Sequence, residues 1–317
     1  LFAEDCIDEI ANKTVSELNP GDICVLENVR FYPEEEKNEP EFAKKLASHG
    51  DIYVNDAFGS AHRAHASTEG VARYIRPALA GFLLDKEVRM LNDVLDEPDR
   101  PFATIIGGAK VSSKIAVLER LLDKANTIII GGAMAFTFLK ARGHNVGKSL
   151  VEEDQLNYCL IMERKAKELE VEVILPSDVI CAKEMKPNAE NWICTIDKIP
   201  SDAMGLDIGP ATVNEINAAL GPCRTILWNG PMGVFEMAGF EKGTYALIDK
   251  LVNMYKQGAK VIVGGGDSVA ALGDKKIEDD QLTHVSTGGG ASLELLEGKV
   301  LPGIACLDEA EAATCKP

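Results

Sequence analysis

Five times in this chain an apolar run ends in glycine and a helix-forming stretch follows. The segments are Thr104-Ile105-Ile106-Gly107-Gly108, Thr127 to Gly132, Thr225 to Gly230, Val261 to Gly266 and His284 to Gly290. Apolar runs without alternation are buried on both faces, which requires a parallel sheet covered by helices. No fixed sequence period accompanies them, so the repetition is the grammar of an α/β fold and not a solenoid. The pattern predicts a doubly wound, Rossmann-like parallel sheet. With 317 residues there is length for two domains.

The first 80 or so residues read differently. Glu4 to Leu18 has helical periodicity, and Asn19-Pro20-Gly21-Asp22 is a turn. Ile23 to Leu26 reads as a buried strand and Asp51 to Val54 as a second short one. The acidic run from Glu34 to Glu41 reads as a solvated loop and helix start. Pro77 to Asp96 is expected to form one long helix, with Leu79, Phe82, Leu83, Met90, Leu91 and Leu95 as its apolar stripe. Glu97-Pro98-Asp99-Arg100-Pro101 stops it, and a domain boundary is expected within or just after this helix.

Charge and cysteine usage exclude several functions. The balance of 33 basic and 50 acidic residues gives −17, which argues against a nucleic-acid partner. The eight cysteines, Cys6, Cys24, Cys159, Cys181, Cys194, Cys223, Cys306 and Cys315, form no C-x-x-C pair. Scattered thiols in a chain of this size point to a reducing compartment. No run reaches about 18 apolar residues, so no membrane-spanning helix is expected. The chain opens on Leu1 with no signal-peptide pattern, and a fragment or processed product is expected.

The glycine turns suit phosphate. Helix N-termini present unpaired N–H groups and partial positive charge, and glycine lets backbone approach a ligand. In an open α/β sheet all these turns lie on one edge. Two carry chargeable side chains. Gly107-Gly108-Ala109-Lys110 to Lys114 spaces two lysines i and i+4 at a helix start, where cations oppose the helix dipole unless an anion is bound. Gly264-Gly265-Gly266-Asp267-Ser268 offers Asp267 either as an N-cap or as a Mg²⁺ ligand beside nucleotide phosphates. Three other patterns are set aside. Gly143 to Ser149 has three residues between its glycines where a Walker A loop has four, His62 and His65 lack further ligands, and no G-x-G-x-x-G follows a strand.

The chain closely resembles the phosphoglycerate kinase family. The resemblance rests on Leu26-Glu27-Asn28-Val29-Arg30-Phe31, Asn55 to His65, Gly107-Gly108-Ala109-Lys110 and Gly131 to Phe138. It extends through Gly205 to Pro210, Trp228 to Glu236, Gly264 to Ser268 and Ser286 to Ala291, in the family's order. It implies two doubly wound lobes joined by a long helix across a hinged cleft. Residues 1–80 would be a partial glycerate-binding lobe, 81–97 the connecting helix, 98–290 the nucleotide-binding lobe and 291–317 a segment returning to the first lobe. The implied reaction is reversible transfer of the acyl phosphate of 1,3-bisphosphoglycerate to Mg-ADP, giving 3-phosphoglycerate and ATP.

Residue by residue, the resemblance assigns Arg30 and Arg63 to the glycerate. Lys110 would neutralise the phosphoryl group in flight, with the amides of Gly288, Gly289 and Gly290 facing it. Lys114, Gly265, Gly266, Asp267 and Ser268 would serve the nucleotide phosphates, Asp267 as Mg²⁺ ligand. Glu236 would contact the ribose, Gly108, Gly131, Gly132 and Gly205 would form the adenosine pocket, and Asn229 and Pro231 would lie beside the phosphates. The family pattern opens with an Asp-x-Asn strand, a catalytic arginine and a His-x-x-Arg element that nothing here matches. An N-terminally truncated copy with an incomplete first lobe and impaired turnover is therefore expected. Small molecules are the expected partners, with no nucleic acid and no membrane, and a monomer in the cytoplasm is expected, an organelle form staying open. The alternative function is a nucleotide-binding protein without phosphoryl transfer.

Overall fold

The computed structural model describes residues 1–309, so Cys315 and the end of the expected 291–317 segment lie outside the described residues. The chain divides into two compact units. One is formed by residues 1–88 with the chain from Lys299 on, the other by Arg89–Gly298.

Unit 1 begins with β1 (Phe2–Ala3), α1 (Glu9–Ser16) and β2 (Val25–Leu26), the two strands pairing in parallel. The helix expected from Glu4 starts only at Glu9. Asp8 caps it, Oδ1 accepting the N–H of Ile10 at 2.8 Å and of Ala11 at 3.1 Å. The strand expected to be buried from Ile23 is shorter and half uncovered, with Ile23 77% and Val25 59% exposed. Leu26 alone packs on the small cluster of Cys6, Phe42, Ala43 and Ala66. An apolar run this short cannot distinguish one covered face from two. The helices α2 (Pro33–Glu36) and α3 (Pro40–Ala47) follow. The acidic run is not wholly solvated, because Glu35 is only 1% exposed. Its carboxylate accepts the Ser67 N–H at 2.9 Å and hydroxyl at 2.6 Å.

β3 (Tyr53–Asn55) pairs in parallel with β4 (Ala78–Ala80), and only then does α4 (Phe82–Asp96) begin. The helix expected from Pro77 is therefore shorter, and Leu79 belongs to a strand. The cause is a long-range cap: the Gly81 N–H donates to the Asn55 carbonyl at 2.8 Å and the Leu84 N–H to Asp56 Oδ1 at 3.0 Å. Within α4, Leu84, Leu91, Val94 and Leu95 are buried, while Phe82, expected in the stripe, is 95% exposed.

Unit 2 continues with β5 (Phe102–Ile106), α5 (Ile115–Leu122), β6 (Thr127–Ile130), α6 (Met134–Ala141), α7 (Leu156–Glu168) and β7 (Glu172–Ile174). Then come β8 (Asp178–Ala182), β9 (Asn191–Thr195) and β10 (Met204–Ile208), a separate antiparallel sheet in the order β10-β8-β9. The second half runs α8 (Pro210–Leu220), β11 (Thr225–Asn229), α9 (Lys242–Lys256), β12 (Lys260–Gly264), α10 (Gly266–Asp274), β13 (His284–Val285) and α11 (Gly290–Leu296). The final helix, α12 (Pro302–Ala305), belongs to unit 1, where the Gly303 carbonyl accepts from Asn55 Nδ2 at 2.9 Å.

All five glycine-ended runs enter one six-stranded parallel sheet, in the order β13-β12-β11-β5-β6-β7. Counted from β5, this is the doubly wound order, with its switch point between β5 and β11. Ile105, Trp228 and Val263 of the sheet pack with Leu247, Ile248 and Leu251 of α9. At the switch point two glycines cross. The Gly107 N–H donates to the Asn229 carbonyl at 3.0 Å. A Cβ on Gly107 would lie 2.1 Å from the Pro231 carbonyl oxygen, and one on Gly230 would lie 2.2 Å from that of Gly107. No helix among the described residues is long and apolar enough to cross a membrane.

Candidate functional site

The carboxyl edge of the six-stranded sheet holds two cavities that share Gly108, Ala109 and Asp267 in their walls. The larger, about 450 Å³, is mostly apolar, with Gly132, Phe136, Leu150, Val179, Gly205, Pro231, Val234 and Glu236 among its lining residues. The smaller, about 260 Å³, is lined by glycine turns, Gly107, Gly230, Gly265, Gly266, Gly289 and Gly290, with Lys114 and Asn229. An apolar chamber opening beside a polar, glycine-lined one that carries one lysine and one aspartate has the division of a nucleotide's two halves.

The glycines divide by role. Gly108, Gly132 and Gly205 line the larger cavity, whereas Gly131 packs inward, its N–H donating to the Ile106 carbonyl at 2.9 Å. A Cβ there would meet Met232 Sδ at 2.4 Å. Gly289 and Gly290 line the smaller cavity, while the Gly288 N–H is already bonded to Ser286 Oγ at 3.2 Å.

The expected pair of lysines on one helical face does not form. Glu152 accepts both the Ser112 N–H at 3.0 Å and the Ser112 hydroxyl at 2.6 Å. That grip holds residues 110–114 in a turn, and α5 starts at Ile115. Lys110 is exposed and lies outside both cavities. Lys114 stands at the helix cap and donates through Nζ to Asn229 Oδ1. Burial holds its ammonium below the usual lysine value, while the carboxylates of Asp267 and Glu297 pull the other way. Asn229 is buried, and its Nδ2 has no partner among the described residues.

Asp267 is not the cap of α10, since Gly265 occupies that position with φ +89. The Asp267 carboxylate is exposed in the wall shared by both cavities. Ser268 lies behind that wall, fully buried, its Oγ accepting the Gly230 N–H at 2.6 Å. A lone carboxylate beside a phosphate-sized chamber fits Mg²⁺, which takes one or two carboxylates and completes its shell with phosphate oxygens and water.

Two features of the larger cavity escaped the sequence reading. Lys148 and Leu150 line it, although the Gly143 to Ser149 loop is no Walker A loop. Ser149 Oγ accepts the Gly205 N–H at 3.0 Å, joining that loop to β10. Asp207, also in the wall, is 3% exposed. Burial pushes its carboxyl up to about 7, against two backbone N–H bonds that lower it. Asp207 falls within the Gly205 to Pro210 match and Lys148 within the Gly143 to Ser149 loop, but nothing in either stretch marks the residue as part of a cavity wall.

Unit 1 has its own cleft of about 230 Å³, lined by Arg30, Glu35, Tyr53, Asn55, Asp56, Ser60 and Ser67 among others. Arg30 is paired with Glu36, and its Nη2 lies 3.1 Å from His65 Nδ1. Burial and then the Arg30 charge hold the His65 ring below the usual histidine value, against Glu35 and Glu36. Arg63 lies on an exposed turn beyond the cleft lining, its Nε 3.3 Å from His62 Nε2.

This fold and its glycine-lined edge define an α/β protein of the doubly wound, phosphate-binding class. The phosphoglycerate kinase family model matches residues 1–299. The chain is 58% identical over 303 residues to the phosphoglycerate kinase of a Nostoc species, spanning 96% of this chain and 75% of that one. It is 55% identical over 307 residues to that of Thermosynechococcus vestitus, 97% of this chain and 76% of the relative. Among solved structures, phosphoglycerate kinase from Coxiella burnetii superposes with a TM-score of 0.82 at 46% identity, over 89% of this chain and 72% of that chain. The Pyrococcus horikoshii kinase gives 0.81 at 32% identity, over 96% and 77%. The chain belongs to the phosphoglycerate kinase family, and it is an enzyme, a kinase that transfers phosphoryl groups.

Proposed function

We propose that this kinase moves the acyl phosphate of 1,3-bisphosphoglycerate reversibly onto Mg-ADP, giving 3-phosphoglycerate and ATP. The observation that carries the reading is the pair of cavities at the switch point of unit 2, joined at Gly108 and Asp267. The nucleoside occupies the apolar chamber, between Gly132, Gly205 and Pro231, with Glu236 on the ribose. Gly131 shapes that pocket from behind. The phosphates lie in the glycine-lined chamber, where Lys114, the unpartnered Asn229 Nδ2 and the amides of Gly265, Gly266, Gly289 and Gly290 face them. Ser268 holds the Gly230 turn in place.

Asp267 holds Mg²⁺, which when bound offsets the negative charge of the phosphates. Arg30 and Arg63 bind the carboxylate and phosphate of the glycerate. Lys110, on an exposed turn, neutralises the phosphoryl group as its bonds loosen, with Gly289 and Gly290 of the Gly288 to Gly290 turn supplying backbone N–H groups while the Gly288 N–H stays bonded to Ser286. Seven free cysteines among the described residues support a reducing compartment such as the cytoplasm. A monomer is the proposed state.

A coupled assay for ATP formation tests the reading, together with Mg-ADP titration of the same chain. Nucleotide binding with turnover supports it. Binding without turnover favours the nucleotide-binding protein, and absence of binding removes both.

A further inference from the structure

We infer that Asp207 and Thr244 are positioning residues for the nucleotide cavity, clamping the segment 230–240 that carries Pro231 and Glu236. The inference rests on the nucleotide reading of that cavity. Asp207 lies at the end of β10, and its Oδ2 accepts the Gly243 N–H in the first turn of α9 at 2.7 Å. Its Oδ1 accepts the Ile208 N–H at 2.9 Å. Two glycines make room for it: a Cβ on Gly233 or Gly243 would lie 2.4 Å from Oδ1. Both oxygens thus have backbone donors, which suits a post that holds the wall and not a ligand of the nucleotide.

Thr244, fully buried one residue on, completes the clamp. Its Oγ1 accepts the Met232 N–H at 3.1 Å. The Val234 N–H donates to the Leu206 carbonyl at 2.9 Å, and the Met232 carbonyl accepts from Gly132 at 3.0 Å. The segment is therefore tied to α9 by Thr244 and to β10 by Leu206, while Asp207 ties α9 to β10. This closed ring sets where Glu236 stands. At its start the segment is also held by Ser268 Oγ, which accepts the Gly230 N–H at 2.6 Å, and by Trp228 Nε1, which donates to the Gly230 carbonyl at 2.7 Å.

Mg-ADP affinity by calorimetry, 3-phosphoglycerate affinity on the same preparation and a thermal melt test the clamp. Thr244→Val is expected to weaken Mg-ADP about tenfold, since small misplacements of positioning groups can cost up to ~100-fold. The 3-phosphoglycerate affinity should stay unchanged, and Thr244→Ser should restore the nucleotide. Asp207→Ala should lose more, and Asp207→Asn, which keeps one acceptor, should recover part. If Asp207→Ala does not fold, the Thr244 pair decides. Wild-type Mg-ADP affinity in Thr244→Val, or in folded Asp207→Asn and Asp207→Ala, overturns the clamp and leaves the nucleotide reading standing. A wild-type chain that does not bind Mg-ADP overturns both.

Discussion

Unit 2 and unit 1 build the walls of their cavities by different means. In unit 2 the sheet itself does it: parallel strands end together, helices start there, and the glycine turns line the cavity. In unit 1 the sheets are two separate strand pairs, and side chains do the work. Arg30 is held by Glu36 and His65, and the loop after Arg63 is held by Glu35 through Ser67. The cores differ accordingly. Unit 2 packs Trp228, Ile105 and α9 into one large cluster, whereas unit 1 has small clusters and leaves Phe2, Val25, Val54 and Leu79 exposed. A backbone site depends on how closely main chains approach, and a side-chain site on its buried bonds.

That contrast breaks most readily at Gly230. Its Cβ would meet backbone that cannot rotate away, and its φ is +102. Gly230→Ala is expected to cost on the order of 4 kcal/mol in denaturant unfolding, from backbone strain plus overpacking. Gly143→Ala, at φ +91 with nothing within 4 Å, should cost about 1–2 kcal/mol. Equal losses at the two positions would show that close approach is not what the switch point requires.

In unit 1 the sensitive position should be a buried acceptor. Glu35→Ala strips two donors on Ser67 of their partner and is expected to cost about 2 kcal/mol. Titration should show weaker 3-phosphoglycerate binding with Mg-ADP binding unaltered. A loss confined to the nucleotide would reverse the assignment of the two units.

Asp267→Ala sharpens the comparison from the unit 2 side. Among the described residues the carboxylate accepts no hydrogen bond and only faces the Lys114 charge, so the melt should move little. Mg-ADP affinity should fall about tenfold, roughly 1.4 kcal/mol, while ADP without Mg²⁺ binds as before. Equal affinity for Mg-ADP in variant and wild type would remove Asp267 as the ligand.

The smallest effect should come from His65. Its folded-state value lies below that of a free histidine, so the neutral ring is the one folding prefers. The stability this supplies is present above about pH 6.5 and is lost as the pH falls through the depressed value. The ring should titrate below 6.5 by NMR, and acidification should loosen Arg30 and weaken 3-phosphoglycerate before Mg-ADP. A midpoint above 6.5 would mean that Glu35 and Glu36 dominate its surroundings.

The parallel sheet and its phosphate-suited edge were legible in the amino-acid order. Thr127 to Ile130 or Val261 to Val263 can be buried on both faces only in a covered parallel sheet, and a glycine after each strand marks the edge. These are local properties, carried by consecutive residues. Tertiary structure decided what contacts between distant residues decide. Glu152 takes Ser112 and stops a helix from forming at Lys110, Asp56 starts α4 at Phe82, and Ser67 draws Glu35 out of an acidic run into the interior. The sheet of β8, β9 and β10, absent from the sequence reading, brings Gly205 and Asp207 to the cavity. Which glycines face a ligand and which face each other, Gly108 and Gly132 against Gly107 and Gly230, follows from where two chain segments cross. Periodicity and propensity act over a few residues, whereas a buried bond joins any two groups the fold brings within about 3 Å, so the partner's place in the sequence leaves no local mark.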